Sequence, residues 1–104
     1  MGKEARKHIS LSKITKTLKN LQDEIKKEFK AEIIGIFGSY ARDEQRKESD
    51  IDVLVRFYEG ATLFDLVGLG NFLEEKLGIK VDVVPYDAVR KEIREKVLKE
   101  VVYL

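Results

Sequence analysis

Three aspartates and a glycine–serine pair carry the chemistry this sequence could perform. Asp50 and Asp52 stand one residue apart at the head of an apolar run, and Asp82 interrupts a second run of valines. In an extended strand, residues i and i+2 leave the same face with Cα atoms roughly 6.5–7 Å apart, so Asp50 and Asp52 would share a patch. Asp82 would join them if its strand lies alongside. Like charges 4 Å apart cost on the order of 4 kcal/mol at an effective dielectric near 20. Such a cluster therefore persists only when protonated, splayed into water or bridged by cations. Oxygen ligands without His or Cys select Mg²⁺ or Mn²⁺ over zinc. Two such ions about 3.5–4 Å apart could clamp the attacking and leaving oxygens of an in-line phosphoryl or nucleotidyl transfer.

Gly38-Ser39 offers the other half of a phosphate site. Glycine lets the backbone approach a ligand closely, N–H groups at a helix start point at an anion, and the Ser39 hydroxyl adds a donor. Arg42, one turn on, could grip a triphosphate in bidentate fashion. Each feature alone has an ordinary reading: a turn, the solvated face of an edge strand, a surface charge. The conjunction decides: a strand, Gly38-Ser39, ten residues, Asp50-Ile51-Asp52 opening a second strand, then Val81-Asp82-Val83-Val84 beyond a helix.

The elements that must hold these residues are legible from periodicity. Leu11, Ile14, Leu18, Leu21 and Ile25 recur at three and four, which predicts an amphipathic helix from Ser10 or Ser12 to about Glu28–Lys30. Its stripe should pack on a sheet; two heptads are too short for a convincing coiled coil. Glu32–Phe37 is a bounded apolar run that predicts a buried strand, followed by a short helix from Ser39 to Asp43 and a polar loop from Gln45 to Ser49. Asp50–Phe57 is the second strand, with Ile51, Val53 and Val55 on one face and Asp50 and Asp52 on the other. Thr62 caps a second helix whose apolar face holds Leu63, Leu66, Val67, Phe72, Leu73 and Leu77, and Gly78 stops it. Gly68 and Gly70 within it each cost about 1 kcal/mol relative to Ala, and close packing against the sheet would account for them. Lys80–Val84 is the third strand, Pro85 ends it, and Asp87 caps a last helix striped by Val89, Ile93, Val97 and Val101. The closing Val101-Val102-Tyr103-Leu104 either folds under the domain or meets a partner. The order is αβαβαβα, an α/β (α+β) chain with a small mixed sheet flanked by helices.

The pattern Gly38-Ser39…Asp50-x-Asp52 with Asp82 resembles the polymerase-beta-like nucleotidyltransferase palm. The compact chain around it, roughly residues 10–104, resembles the minimal nucleotidyltransferase family, the antitoxin partners of HEPN–MNT toxin–antitoxin pairs. The resemblance implies that Asp50 and Asp52 bind metal, two Mg²⁺ ions with Mn²⁺ as the substitute. Asp82 would be the third carboxylate and the base for the incoming hydroxyl, while Gly38, Ser39 and Arg42 hold the nucleotide. It further implies ATP as substrate and a HEPN-domain RNase toxin as partner, whose tyrosine receives AMP. Longer relatives carry a second domain for the acceptor, so the acceptor site is expected to be completed by another subunit or protein. Two other functions stand beside this one. In the first, the protein is a palm-shaped binding module that neutralises its partner by occlusion. In the second, the acceptor is a small molecule such as an aminoglycoside, against which the missing acceptor domain counts.

Composition bounds the rest. A chain of 104 residues, 43% hydrophobic, suits one domain spanning 1–104, with residues 1–9 a basic, frayed lead-in. The net charge of +1 gives no bulk reason to bind nucleic acid or membrane. The mixed-charge last helix reads as a solvated face rather than a nucleic-acid stripe. No cysteine is present, which removes disulfides and thiolate metal sites. No bilayer-length apolar run, signal core or Walker-type loop appears, so a cytoplasmic protein is expected. The lone His8 lies in the lead-in and gives no basis for histidine catalysis. Asn occurs only at 20 and 71, Gln at 22 and 45, and Met at 1, a scarcity of labile residues that fits a thermophilic source. Self-association through the apolar end or the first helix is a further expectation.

Overall fold

The computed structural model describes residues 10–38, 41 and 50–104. Within them the order is α1 (Leu11–Phe29), β1 (Ala31–Phe37), β2 (Ile51–Phe57), α2 (Leu63–Leu77), β3 (Val81–Pro85), a 3₁₀ turn (Tyr86–Ala88), α3 (Lys91–Glu100) and β4 (Val102–Tyr103). The strands form one mixed sheet in the order β3-β2-β1-β4, with β2–β3 parallel and the other two pairs antiparallel. The short helix expected at Ser39–Asp43 and the loop at Gln45–Ser49 lie outside the described residues, as does the lead-in.

Alternation sorts the strand residues onto two faces. Ile51, Val53 and Val55 of β2 join Ile14, Leu18 and Ile25 of α1 and Leu69, Leu73 and Leu77 of α2 in the larger core. Leu54 faces the other way, into a smaller cluster with Val89 and Val101, against which Val97 and Leu98 of α3 pack. In β1 the register slips between Ile33 and Gly35, so Ile34 is the extra residue of a bulge. This bulge lets Ile33 and Ile36, an odd number of residues apart, both reach the larger core, while Ile34 and Phe37 turn to the smaller one.

The helix ends follow local chemistry. The Ser10 hydroxyl accepts from the Lys13 N–H at 3.2 Å, and Lys30 turns the chain left-handed at φ 53°. At Thr62 the backbone N–H donates to Asp65 Oδ2 at 2.8 Å, and Gly78 closes α2 at φ 74°. α2 continues unbroken through its two glycines. Gly68 faces the Phe29 ring of α1 rather than the sheet, a Cβ there standing 3.1 Å from the ring edge; at Gly70 the nearest atom would be Val83 Cγ2 at 3.8 Å. Side chains also tie helices to strands. The Gln22 amide donates to the Ile33 carbonyl at 3.1 Å and accepts its N–H at 3.0 Å, and Glu74 accepts from the Val81 N–H at 3.1 Å.

Two expectations require correction, and the open alternative at the chain end is decided for folding onto the domain. Leu63 and Val67 are not core: they are 70% and 56% exposed, because the sheet claims only the side of α2 that carries Leu69, Leu73 and Leu77. Asp87 does not cap the last helix. It lies in the 3₁₀ turn, Val89 follows in extended backbone, and Arg90 is the N-cap. The expected stripe breaks accordingly, with Val89 and Val101 buried outside α3 and Ile93 48% exposed. Arg94 fastens the start of α3 by donating from Nη2 to the Val89 carbonyl at 2.8 Å, with its guanidinium 4.8 Å from the centre of the Tyr86 ring. Finally, the chain end forms a strand. Val102 and Tyr103 pair with Ile36 and Gly35, and the Leu104 N–H donates to the Ile34 carbonyl at 3.3 Å.

The glycines give opposite expectations. A Cβ at Gly35 would collide with the Val102 carbonyl and the Val101 side chain. Gly35→Ala should therefore lower stability in urea unfolding by about 1–3 kcal/mol, the range for overpacking. Gly70→Ala meets only ordinary contact and should raise stability by about 0.4–1 kcal/mol. An unchanged midpoint for Gly35→Ala would contradict the close seating of β4.

Candidate active site

The site forms where β1 ends and β2 and β3 begin. β2 is the central strand of the three, so its neighbours bring distant residues to its first turn of pleat. The antiparallel pairing sets Phe37 opposite Asp52, which leaves Gly38 beside the same aspartate. The parallel pairing sets Asp52 opposite Asp82, with Ile51 opposite Val81 below them and Val53 opposite Val83 above. Neighbouring strands lie about 4.8 Å apart, so the two carboxylates leave one face from adjacent backbones.

That face is the one α3 packs on further along, through Leu54 and Val84. Asp52 is half-buried, whereas Asp50 and Asp82 are exposed. Asp50 immediately precedes β2, two residues from Asp52.

Gly38 contributes by having no side chain. Its backbone is left-handed at φ 81°, and a Cβ there would run into Oδ2 of Asp52. The Asp52 carboxylate therefore occupies the space that any other residue would fill. Both halves of the sequence pattern meet at this contact.

The structure thus brings Gly38, Asp52 and Asp82 together and sets Asp50 at the head of the same strand. Ser39 and Arg42 lie outside the described residues. Among the described residues, no group of three or more His, Asp or Glu side chains converges closely enough to hold a metal ion. The adjacent pair Asp52 and Asp82 offers oxygen donors only, and such donors fit Mg²⁺ or Mn²⁺. The Lys80 carbonyl accepts the Ile51 N–H at 3.0 Å, which closes the paired segment at its head. Lys80 immediately precedes β3 and is exposed, two residues from Asp82.

A glycine turn over the first aspartate pair of a small mixed sheet defines a nucleotidyl-transferring palm. The chain belongs to the nucleotidyltransferase domain family, whose model matches residues 18–104. It is similar to a Thermococcus cleftensis protein named protein adenylyltransferase MntA, 38% identical over 96 residues that cover 92% of this chain and 97% of that protein. A solved structure assigned as a minimal nucleotidyltransferase superposes with a TM-score of 0.80 at 36% identity, covering 93% of this chain and 98% of the other. A toxin–antitoxin pair solved with AMP-PNP contains a chain that matches at 25% identity and a TM-score of 0.56, over 71% of this chain and 61% of that one. The fold and the class of enzyme expected from the motif are those the relatives have. Among the described residues, no helix is long and apolar enough to cross a membrane.

Gly38→Ala tests the contact at the heart of the site. Left-handed backbone costs an L-residue roughly 1–2 kcal/mol, and the added methyl must displace the Asp52 carboxylate. Nucleotidyl transfer should fall at least about 10²-fold, the loss that follows misplacing a reacting group by an ångström, while circular dichroism remains that of the folded chain. Full activity in this variant would remove Asp52 from the reacting centre.

Proposed function

We propose that this chain transfers AMP from ATP, with Mg²⁺, to a tyrosine of a partner HEPN-domain RNase toxin, and that the transfer neutralises the toxin. The observation that carries the reading is the meeting of Gly38, Asp52 and Asp82 at one end of the sheet. Support for AMP comes from the relative named a protein adenylyltransferase. Support for a toxin partner comes from the matching chain in the toxin–antitoxin pair solved with AMP-PNP.

In this reading Asp52 and Asp82 would hold the Mg²⁺, with Asp50 at the head of the same strand, and the ion would supply charge neutralisation at the phosphates. The open backbone at Gly38 lets the triphosphate approach, with the Ser39 hydroxyl and the Arg42 guanidinium as its donors. The tyrosine oxygen attacks the α-phosphorus, and its proton passes to the Asp82 carboxylate. The bond from that phosphorus to the bridging oxygen breaks, and pyrophosphate leaves. Asp82 is suited to take the proton because it is exposed, on an edge strand, where an incoming hydroxyl has access.

The test uses α-labelled ATP, Mg²⁺ and the HEPN-domain protein. Label should pass covalently to that protein, and Asp52→Asn should reduce transfer by about 10²–10⁴-fold, the range for losing a group that acts in the reacting centre. Asp82→Asn should do likewise, with a melting temperature close to that of the parent, since Asp82 is exposed. Excess EDTA should stop transfer without unfolding the chain. Retained transfer in Asp52→Asn would sink the assignment, and a neutralised toxin that carries no label would point to occlusion instead.

A further inference from the structure

Away from the carboxylates, the largest apolar residues left in water lie on one helix. Phe64 is 88% exposed, Leu63 70% and Val67 56%. Residues three and four apart on a helix are neighbours, so these three side chains form one continuous patch on the first turns of α2. Its area is on the order of 400 Å², within the size of the largest patch on a typical monomer, which is often functional. The packing of α2 does not require them, since its core contacts run through Leu69, Leu73 and Leu77.

The position of the patch constrains what covers it. β2 runs from Asp52 to Phe57 away from the site, and α2 begins only at Leu63 before returning toward β3. Five residues of strand span about 17 Å, so the patch lies at the end of the sheet opposite the carboxylates. Anything that touches both must be a macromolecule. The segments outside the described residues are poor covers by composition: residues 1–9 contribute only Met1, Ala5 and Ile9 as apolar side chains, and residues 39–49 little beyond Tyr40. A second copy is also a poor cover. Pairing the patch with itself would bury about 800 Å² in total, the size of a lattice contact and short of the roughly 1,200 Å² at which stable interfaces begin. A groove in a different protein meets the requirement better. Such a groove wraps a helix face read at positions i, i+1 and i+4 and closes over its flanks, so the buried surface extends beyond the patch.

Resting on the function proposed above, we infer that Leu63, Phe64 and Val67 are the docking surface for the acceptor protein. They seat in an apolar groove of that protein, remote from its modified residue. Binding energy collected at one end of the domain then presents the acceptor hydroxyl to the carboxylates at the other. The acceptor is thereby a folded protein and not a small molecule.

The experiment compares the parent chain with Leu63→Ser/Phe64→Ser. Calorimetric titration with the HEPN-domain protein, the transfer assay and sedimentation of each chain alone are run in parallel. Affinity for the HEPN-domain protein should drop at least tenfold in the variant. KM for that protein should rise by a similar factor with little change in kcat, and the melting temperature should hold because both residues are exposed. A variant that binds and transfers like the parent overturns the docking surface and leaves the proposed function standing. A parent chain that neither binds nor modifies the HEPN-domain protein overturns both. A parent dimer that the variant converts to monomer overturns the docking surface in favour of a second copy.

Discussion

The structure depends on β2 being covered on both faces and paired on both edges. Ile51, Val53 and Val55 are wholly buried on the face toward α1 and α2, and Leu54 is wholly buried on the other. A strand so placed cannot slip by one residue, because a slip would send three apolar side chains to the opposite face and Asp52 into the larger core. The same burial that stabilises the sheet therefore fixes which residues oppose Asp52. Gly38 arrives from one side and Asp82 from the other, each carried there by its strand's pairing with β2.

The peripheral elements can be understood as ways of protecting that arrangement. β1 must pair with β2, face α1 and accept β4, and its bulge at Ile34 reconciles the first two demands. Around the bulge the Ile33 peptide groups pair with the side chain of Gln22, so the backbone is satisfied where the ladder is irregular. β3 lies at the edge of the sheet, and Glu74 takes up the Val81 N–H at its start. In each case a helix side chain completes hydrogen bonding that the sheet ladder leaves open, at the bulge of β1 and at the start of β3.

Much of this was legible in the sequence, and the failures have physical causes. Three strands and three helices follow from periodicity because each must bury a face, and the aspartate pattern follows from alternation along β2. Leu63 and Val67 misled because apolar periodicity reports that a residue is hydrophobic, not what it meets; α2 is apolar on more than one side and the sheet covers only one. β4 was invisible because two residues have no period. Its trace is instead Gly35, a gap in an otherwise branched strand, left open for the backbone of Val102. The start of α3 was misplaced because Asp87 is a good cap in isolation. Burial of Val89 in extended backbone and the Arg94 contact to its carbonyl outweigh that local preference.

The placement of charge completes the argument. Two carboxylates on adjacent strands repel, and the fold could have hidden one or separated them by a residue of register. Instead Asp52 is half-buried against Gly38 and Asp82 is left in water. The exposure of Asp82 to water weakens the repulsion between the two carboxylates. A polyphosphate bound at the same face, as proposed, would add further negative charge to it. Neutralisation by a divalent cation would then gain most, because it would relieve repulsion among protein and nucleotide charges together. Were the proposed Mg²⁺ and ATP bound at this face, each would favour the other, because the cation would offset charge contributed by both protein and nucleotide.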